Sequence, residues 1–106
     1  SVLQYLKEPY QLLENILNYN FKYIIFDNTA FINDDADRIT IQKVQPKIYE
    51  ASYPSWFFSK EKFLKLFKKK YEVITEFQSS LVSKIHLGDT VGEYKGYIFK
   101  LNREYT

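Results

Sequence analysis

The chain has 106 residues, of which 45% are apolar and 26% charged; that suits one small folded domain and excludes a disordered chain. Fifteen basic residues face thirteen acidic ones, and only Arg38 and Arg103 are arginine, so a dedicated nucleic-acid binder is not expected. Cysteine is absent, which removes disulfides, thiolate chemistry and Cys-ligated metals; methionine is absent too, which predicts a chain excised from something longer. No apolar run reaches the roughly 18 residues of a spanning helix. The opening residues also lack the basic and apolar regions of a signal peptide, so the default expectation is the cytoplasm.

Leu12, Leu13, Ile16 and Leu17 recur at helical spacing and predict an amphipathic helix over Pro9–Tyr19, with Pro9 at its first position and Asn18 or Asn20 at its exit. Lys22–Phe26 is an aromatic and β-branched run that predicts a buried strand ending just before Asp27, Asn28 and Thr29. Residues 30–58 are the least regular part. Asn33, Asp34, Asp35 and Asp37 mark a turn there, Ile39–Val44 alternates as a short edge strand would, and Pro46 and Pro54 punctuate a long aromatic loop with Tyr49, Tyr53, Trp56 and Phe57. Ser59 is placed to cap a second helix with Glu61 in its first turn, a Phe58–Phe63 staple, a buried stripe of Phe63, Leu64 and Phe67, and Lys68–Lys70 at its end. Tyr71–Phe77 predicts a second strand, with Glu72 and Glu76 near an edge or end. Tyr94–Leu101 predicts a third, containing Gly96, after a polar connection with His86, Gly88 and Gly92. The helical crossover makes the first two of these strands parallel, and the direct return makes the third antiparallel: a mixed α/β sheet in one unit, 1–106.

Most chemistry-bearing features have ordinary explanations. The glycines at 88, 92 and 96 do not have phosphate-loop spacing and no helix follows them. Asp34, Asp35 and Asp37 lack the central glycine of a calcium loop and fit a solvated acidic turn. His86 is the only histidine, so zinc is not expected and a surface position suits it. The lysines at 60, 62, 65, 68, 69 and 70 suit a solvated helix face, with a weak nucleic-acid or membrane face as the competing explanation. The stronger signal is positional. Ligands of parallel α/β sheets sit beyond the C-terminal strand ends, where Asp27, Asn28 and Thr29 would offer a carboxylate, an amide and a hydroxyl. Tyr53 and Trp56 in the aromatic loop could cover them; equally, those rings could fill the core while Asn28 and Thr29 cap a turn.

Several segments together carry a resemblance. Ser1-Val2-Leu3-Gln4-Tyr5-Leu6 before Pro9 and its helix is similar to the segment at and after the fourth strand of Rossmann-like, S-adenosylmethionine-dependent methyltransferases, and Phe21–Phe31 is similar to their fifth strand and exit loop. Ile39–Gln42, Tyr49–Trp56, the helix with Phe63 and Tyr94–Phe99 resemble, more narrowly, one little-characterised family of bacterial methyltransferases. The resemblance implies a sheet in which this chain supplies the strands ordered five-seven-six, with the last strand antiparallel between the other two and helices flanking them. It implies that Asp27, Asn28 and Thr29 lie near the substrate, with Asp27 accepting the nucleophile's proton and Asn28 orienting it as the catalytic pair, and that Tyr5 lies near the cofactor or substrate; Tyr53 and Trp56, as the loop over that site, would then contact the substrate. The glycine-rich loop and ribose-binding acid of such enzymes are not among these 106 residues. The implied parent would therefore hold S-adenosylmethionine through a separate N-terminal half and act on a small-molecule or sugar-like substrate, while this chain alone would be inactive, bind no cofactor and self-associate. A non-enzymatic interaction domain using the Tyr/Trp-rich loop, and a weak nucleic-acid binder using the Lys-rich helix, are the competing functions.

Overall fold

The structure, a computed structural model, describes residues 2–43, 52–79 and 84–106. A 3-10 turn at Leu3–Tyr5 leads into helix α1, Pro9–Asn18, which opens on the expected proline. Asn20 ends it in the left-handed region with a φ of 54°, a conformation asparagine tolerates better than most residues. Helix α2, Lys60–Phe67, starts as its sequence dictates: the Ser59 hydroxyl accepts the Lys62 amide at 3.2 Å, and the Phe58 and Phe63 rings meet 6.0 Å apart.

The strands are β1 Tyr23–Ile32, β2 Arg38–Lys43, β3 Ser52–Ser59, β4 Tyr71–Gln78, β5 Lys84–His86 and β6 Val91–Leu101. They form one sheet in the order β2-β3-β1-β6-β4, with β5 pairing on β6. β6 lies antiparallel between β1 and β4, so those two run parallel, as the crossover requires. β4, with Glu72 and Glu76, ends the order at an edge. This is a mixed α/β architecture with flanking helices.

Three expectations are corrected. The first strand does not stop at Phe26: β1 runs to Ile32, because Ala30, Phe31 and Ile32 are apolar and pair with β6, and Phe31 and Ile32 also with β3. Asp27, Asn28 and Thr29 therefore lie inside a strand, not beyond its end. Residues 30–58 are not one long loop either, since β2 and β3 pair antiparallel from Arg38–Phe57 to Lys43–Ser52. Pro54 disguises β3; β1 joins β3 only at Phe31–Phe58 and Ile32–Ser59, so one side of β3 at Pro54 needs no strand donor. Val44, Pro46 and Tyr49 lie outside the described residues. The polar connection before the last strand contains β5, and β6 begins at Val91 rather than Tyr94.

The core lies on the helical face of the sheet. Leu13 and Leu17 of α1, Phe63 and Phe67 of α2, Ile24, Phe26 and Phe31 of β1, Phe58 of β3 and Tyr97 and Phe99 of β6 form one buried cluster. Phe63 is its hub, with ring centroids 4.9 Å from Phe31, 5.1 Å from Phe67 and 5.4 Å from Phe26. On the opposite face, among the described residues, a small buried cluster of Ala30, Ile32 and Phe57 covers one end. Beyond it Tyr23 and Ile25 are 51% and 65% exposed, and among the described residues no strand pairs with the outer edge of Tyr23–Phe26. No described helix is long and apolar enough to cross a membrane.

Candidate functional site

The middle of β1 is irregular for a reason visible in its register. Phe26 pairs with Tyr97 and Thr29 with Lys95, so Asp27 and Asn28 together oppose the single residue Gly96. That is a β-bulge, with the extra residue accommodated at Asn28, whose φ is 52°. The bulge explains why Phe26 and Phe31, an odd number of residues apart, point into the same core. It also explains Gly96: a Cβ there would stand 2.6 Å from the Phe26 carbonyl oxygen and overlap the Phe77 ring. Bulges and left-handed non-glycine residues concentrate at functional sites, because they re-aim side chains at some cost in strain.

The 3-10 turn packs beside the bulge, in the fork where β1 and β3 diverge. Gln4 Nε2 donates to the Asn28 carbonyl at 3.2 Å, and the Trp56 indole Nε1 donates to the Leu6 carbonyl at 3.2 Å. The Tyr5 and Tyr53 rings meet edge-on at 5.5 Å, and the Tyr53 hydroxyl donates to Gln42 at 3.2 Å. Asn28, Tyr5, Tyr53 and Trp56 are thus gathered around one turn, with the Asp27 and Asn28 side chains exposed beside it. Thr29 is turned inward: it is fully buried and its hydroxyl donates to the Asp27 carbonyl at 3.2 Å. Gln4 carried no sequence signal, although it is 2% exposed and its Oε1 has no hydrogen-bond partner among the described residues. The group supplies a free carboxylate, an amide and a wall of phenol and indole rings, the equipment to orient a hydroxyl- or amine-bearing molecule and accept its proton.

A second polar arrangement lies where β1 and β3 end and α2 begins. Asn33, Asp34, Asp35, Lys60, Glu61 and Leu64 line a cleft of about 530 Å³. Behind Lys60, Glu76 takes Lys60 at 2.8 Å, Lys95 at 2.7 Å and the Tyr97 hydroxyl at 3.1 Å, and Lys95 also reaches Glu93 at 3.1 Å. The hydrogen bonds from Lys60 and Lys95 hold the Glu76 carboxyl at about 2, well below the ordinary 4.5. Burial first, then the adjacent Glu76 charge, pushes the Tyr97 hydroxyl up, so it stays a proton donor. Asp37 is not the solvated turn residue its sequence suggests. Its carboxylate accepts from the Ser59 amide at 2.7 Å, the Tyr10 hydroxyl at 3.1 Å and Lys62 at 2.9 Å, tying the β1–β2 turn to the start of α2. Among the described residues, no group of carboxylates and histidine converges on a metal position, and His86 is exposed.

Glu76 sets an expected acid response. A carboxyl whose folded pKa is depressed stabilises the fold fully above its unfolded value and loses that contribution as pH falls through the folded one. Wild type is therefore expected to lose urea-unfolding midpoint as pH falls from about 4.5 to about 2. Glu76→Gln should lower the midpoint at neutral pH and flatten the fall in that window. Parallel pH curves for the two proteins would show that Glu76 does not carry the response.

No family model, curated protein or solved structure matches this chain.

Proposed function

We propose that this chain is the substrate-side part of an S-adenosylmethionine-dependent methyltransferase, completed by an N-terminal half that binds the cofactor. The observation that carries this proposal is β6 lying antiparallel between the parallel strands β1 and β4, the arrangement that the resemblance of the sequence implies for strands five, seven and six. Two further features agree with it. The open outer edge of Tyr23–Phe26 and the exposed Tyr23 and Ile25 beside it suit a further strand and a covering layer; without that layer, the same surface suits a second copy of the chain. The bulge at Asp27–Asn28, with Tyr5, Tyr53 and Trp56 around it, suits the acceptor side of the reaction.

In this reaction a nucleophile displaces the sulfonium at the methyl carbon, and the protein's contribution is to hold the two in line. Asp27 takes the proton that the nucleophile loses; Asn28 orients that nucleophile; the tyrosine and tryptophan rings exclude water from it. S-adenosylmethionine supplies the methyl group and is held by residues outside this chain.

Calorimetric titration tests the division of labour. The chain alone is expected to give no saturable heat with S-adenosylmethionine, and the longer protein that contains it is expected to bind one equivalent. Stoichiometric micromolar binding by the chain alone, or none by the longer protein, would overturn the proposal.

A further inference from the structure

Charge is distributed unevenly along the strand direction. The end of the sheet where β1 starts and β6 finishes holds a cleft of about 480 Å³, lined by Asn20, Lys22, Lys100, Arg103 and Tyr105 among others. None of the three cations forms an ion pair within 4 Å among the described residues, although Glu72 lies across from Lys100 in the β4–β6 register and Glu104 follows Arg103. Lys22 lies 5.7 Å from the centre of its neighbour Tyr23. A fourth cation stands behind the lining: Lys70 donates to the Leu17 carbonyl at 2.9 Å and to Asn20 Oδ1, and sits 5.1 Å from the centre of the Tyr105 ring. The Lys70 bond uses the oxygen of Asn20 and leaves its NH2 as a donor. Tyr105 gives its own proton to the Lys69 carbonyl at 3.3 Å.

We propose that this cleft binds a phosphate group carried on a small molecule or a lipid. Several cations around one concavity repel one another until an anion enters, and the field is focused there by low-dielectric walls. The donors fit a phosphate better than a carboxylate. Arg103 offers the planar fork that grips two oxygens, Lys22 and Lys100 add point charges, and Asn20 adds a neutral donor, so a doubly charged group with three or more acceptor oxygens is satisfied. The volume exceeds what one phosphate needs and lies within the usual range of about 300–1,000 Å³ for organic ligands. The cleft is at the opposite end of β1 from the acidic cleft at Asn33–Asp35, so the two attract ligands of opposite charge. This inference does not depend on the proposed methyl transfer.

The test is calorimetric titration of the full chain with inorganic pyrophosphate, alongside sedimentation with phosphatidylglycerol vesicles and with neutral phosphatidylcholine vesicles. The proteins compared are wild type, Lys100→Gln/Arg103→Gln, and Lys7→Gln/Lys65→Gln, which loses the same charge at exposed positions outside the cleft. Saturable binding of pyrophosphate or of the anionic vesicles is expected. Removal of two charged hydrogen bonds should weaken it by about tenfold or more in the cleft variant, against less than about twofold in the control. Binding of pyrophosphate identifies a free phosphate ligand, and binding only of anionic vesicles identifies a headgroup. Equal weakening in the two variants, or no saturable binding of either probe by wild type, would overturn the inference.

Discussion

Phe63→Ala is expected to cost more stability than any change on the chain's surface, and to leave the domain at the edge of unfolding at room temperature. The ring is fully buried and meets six other aromatic rings, from α2, β1, β3 and β6. Truncation of a buried phenylalanine costs about 3–5 kcal/mol, because the lost transfer energy is joined by a cavity that the neighbours fill only partly. Small domains have only about 5–15 kcal/mol in total. The neighbours here are themselves rigid rings, held edge-on, tilted or stacked, and such rings relax into a void less readily than leucine or methionine side chains. Leu12→Ala on the exposed side of α1 is the control and should change stability by about 0.5 kcal/mol or less. Urea unfolding followed by circular dichroism measures both. A loss below about 1 kcal/mol for Phe63→Ala would contradict the packing around α2.

The elements most legible in the sequence are those whose signal is local. Both helices follow from apolar spacing and from Pro9 and Ser59 at their starts, and those residues occupy the first-turn and capping positions in the structure. β1 was legible only in its first half. Asp27 and Asn28 look like a strand stop, and the bulge that absorbs them depends on Gly96, some seventy residues later. β3 was hidden by Pro54 and by serines at 52, 55 and 59, because its partners are a β2 strand and the end of β1 rather than a periodic neighbour. The parallel and antiparallel directions followed from connection lengths; the order of the strands followed from the resemblance and not from the residues' own pattern.

The candidate site divides in the same way. Asp27, Asn28, Tyr53 and Trp56 stand out by type and position, and Tyr5 by the resemblance; the structure brings Tyr5 onto Tyr53 and ties Trp56 to the same turn. Thr29 shares their neighbourhood in sequence but faces the interior, because the residue after the bulge returns to the core side of the sheet. Gln4 was invisible as a polar residue between two hydrophobic ones. The Glu76 network was invisible because Lys60, Lys95 and Tyr97 reach it from different elements, and a single glutamate near a strand end carries no signal of such partners.

The largest functional effect is expected at Asp27. Its side chain is exposed, and it is the Asp27 main-chain carbonyl that holds Thr29, so Asp27→Asn removes a charge without removing a bond that supports the bulge. A positioned base contributes roughly 10²–10⁴ in rate, which an amide cannot supply. The decisive measurement is S-adenosylhomocysteine production by the longer protein containing this chain, supplied with the small-molecule fraction of its own cells, with thermal melts of the same samples. If Asp27 is the base of a methyl transfer, turnover by Asp27→Asn falls about 100-fold or more while the melting temperature stays within about 2 °C of wild type. Undiminished turnover, or turnover and melting temperature falling together, would contradict a catalytic role for the bulge and with it the methyltransferase assignment of this site.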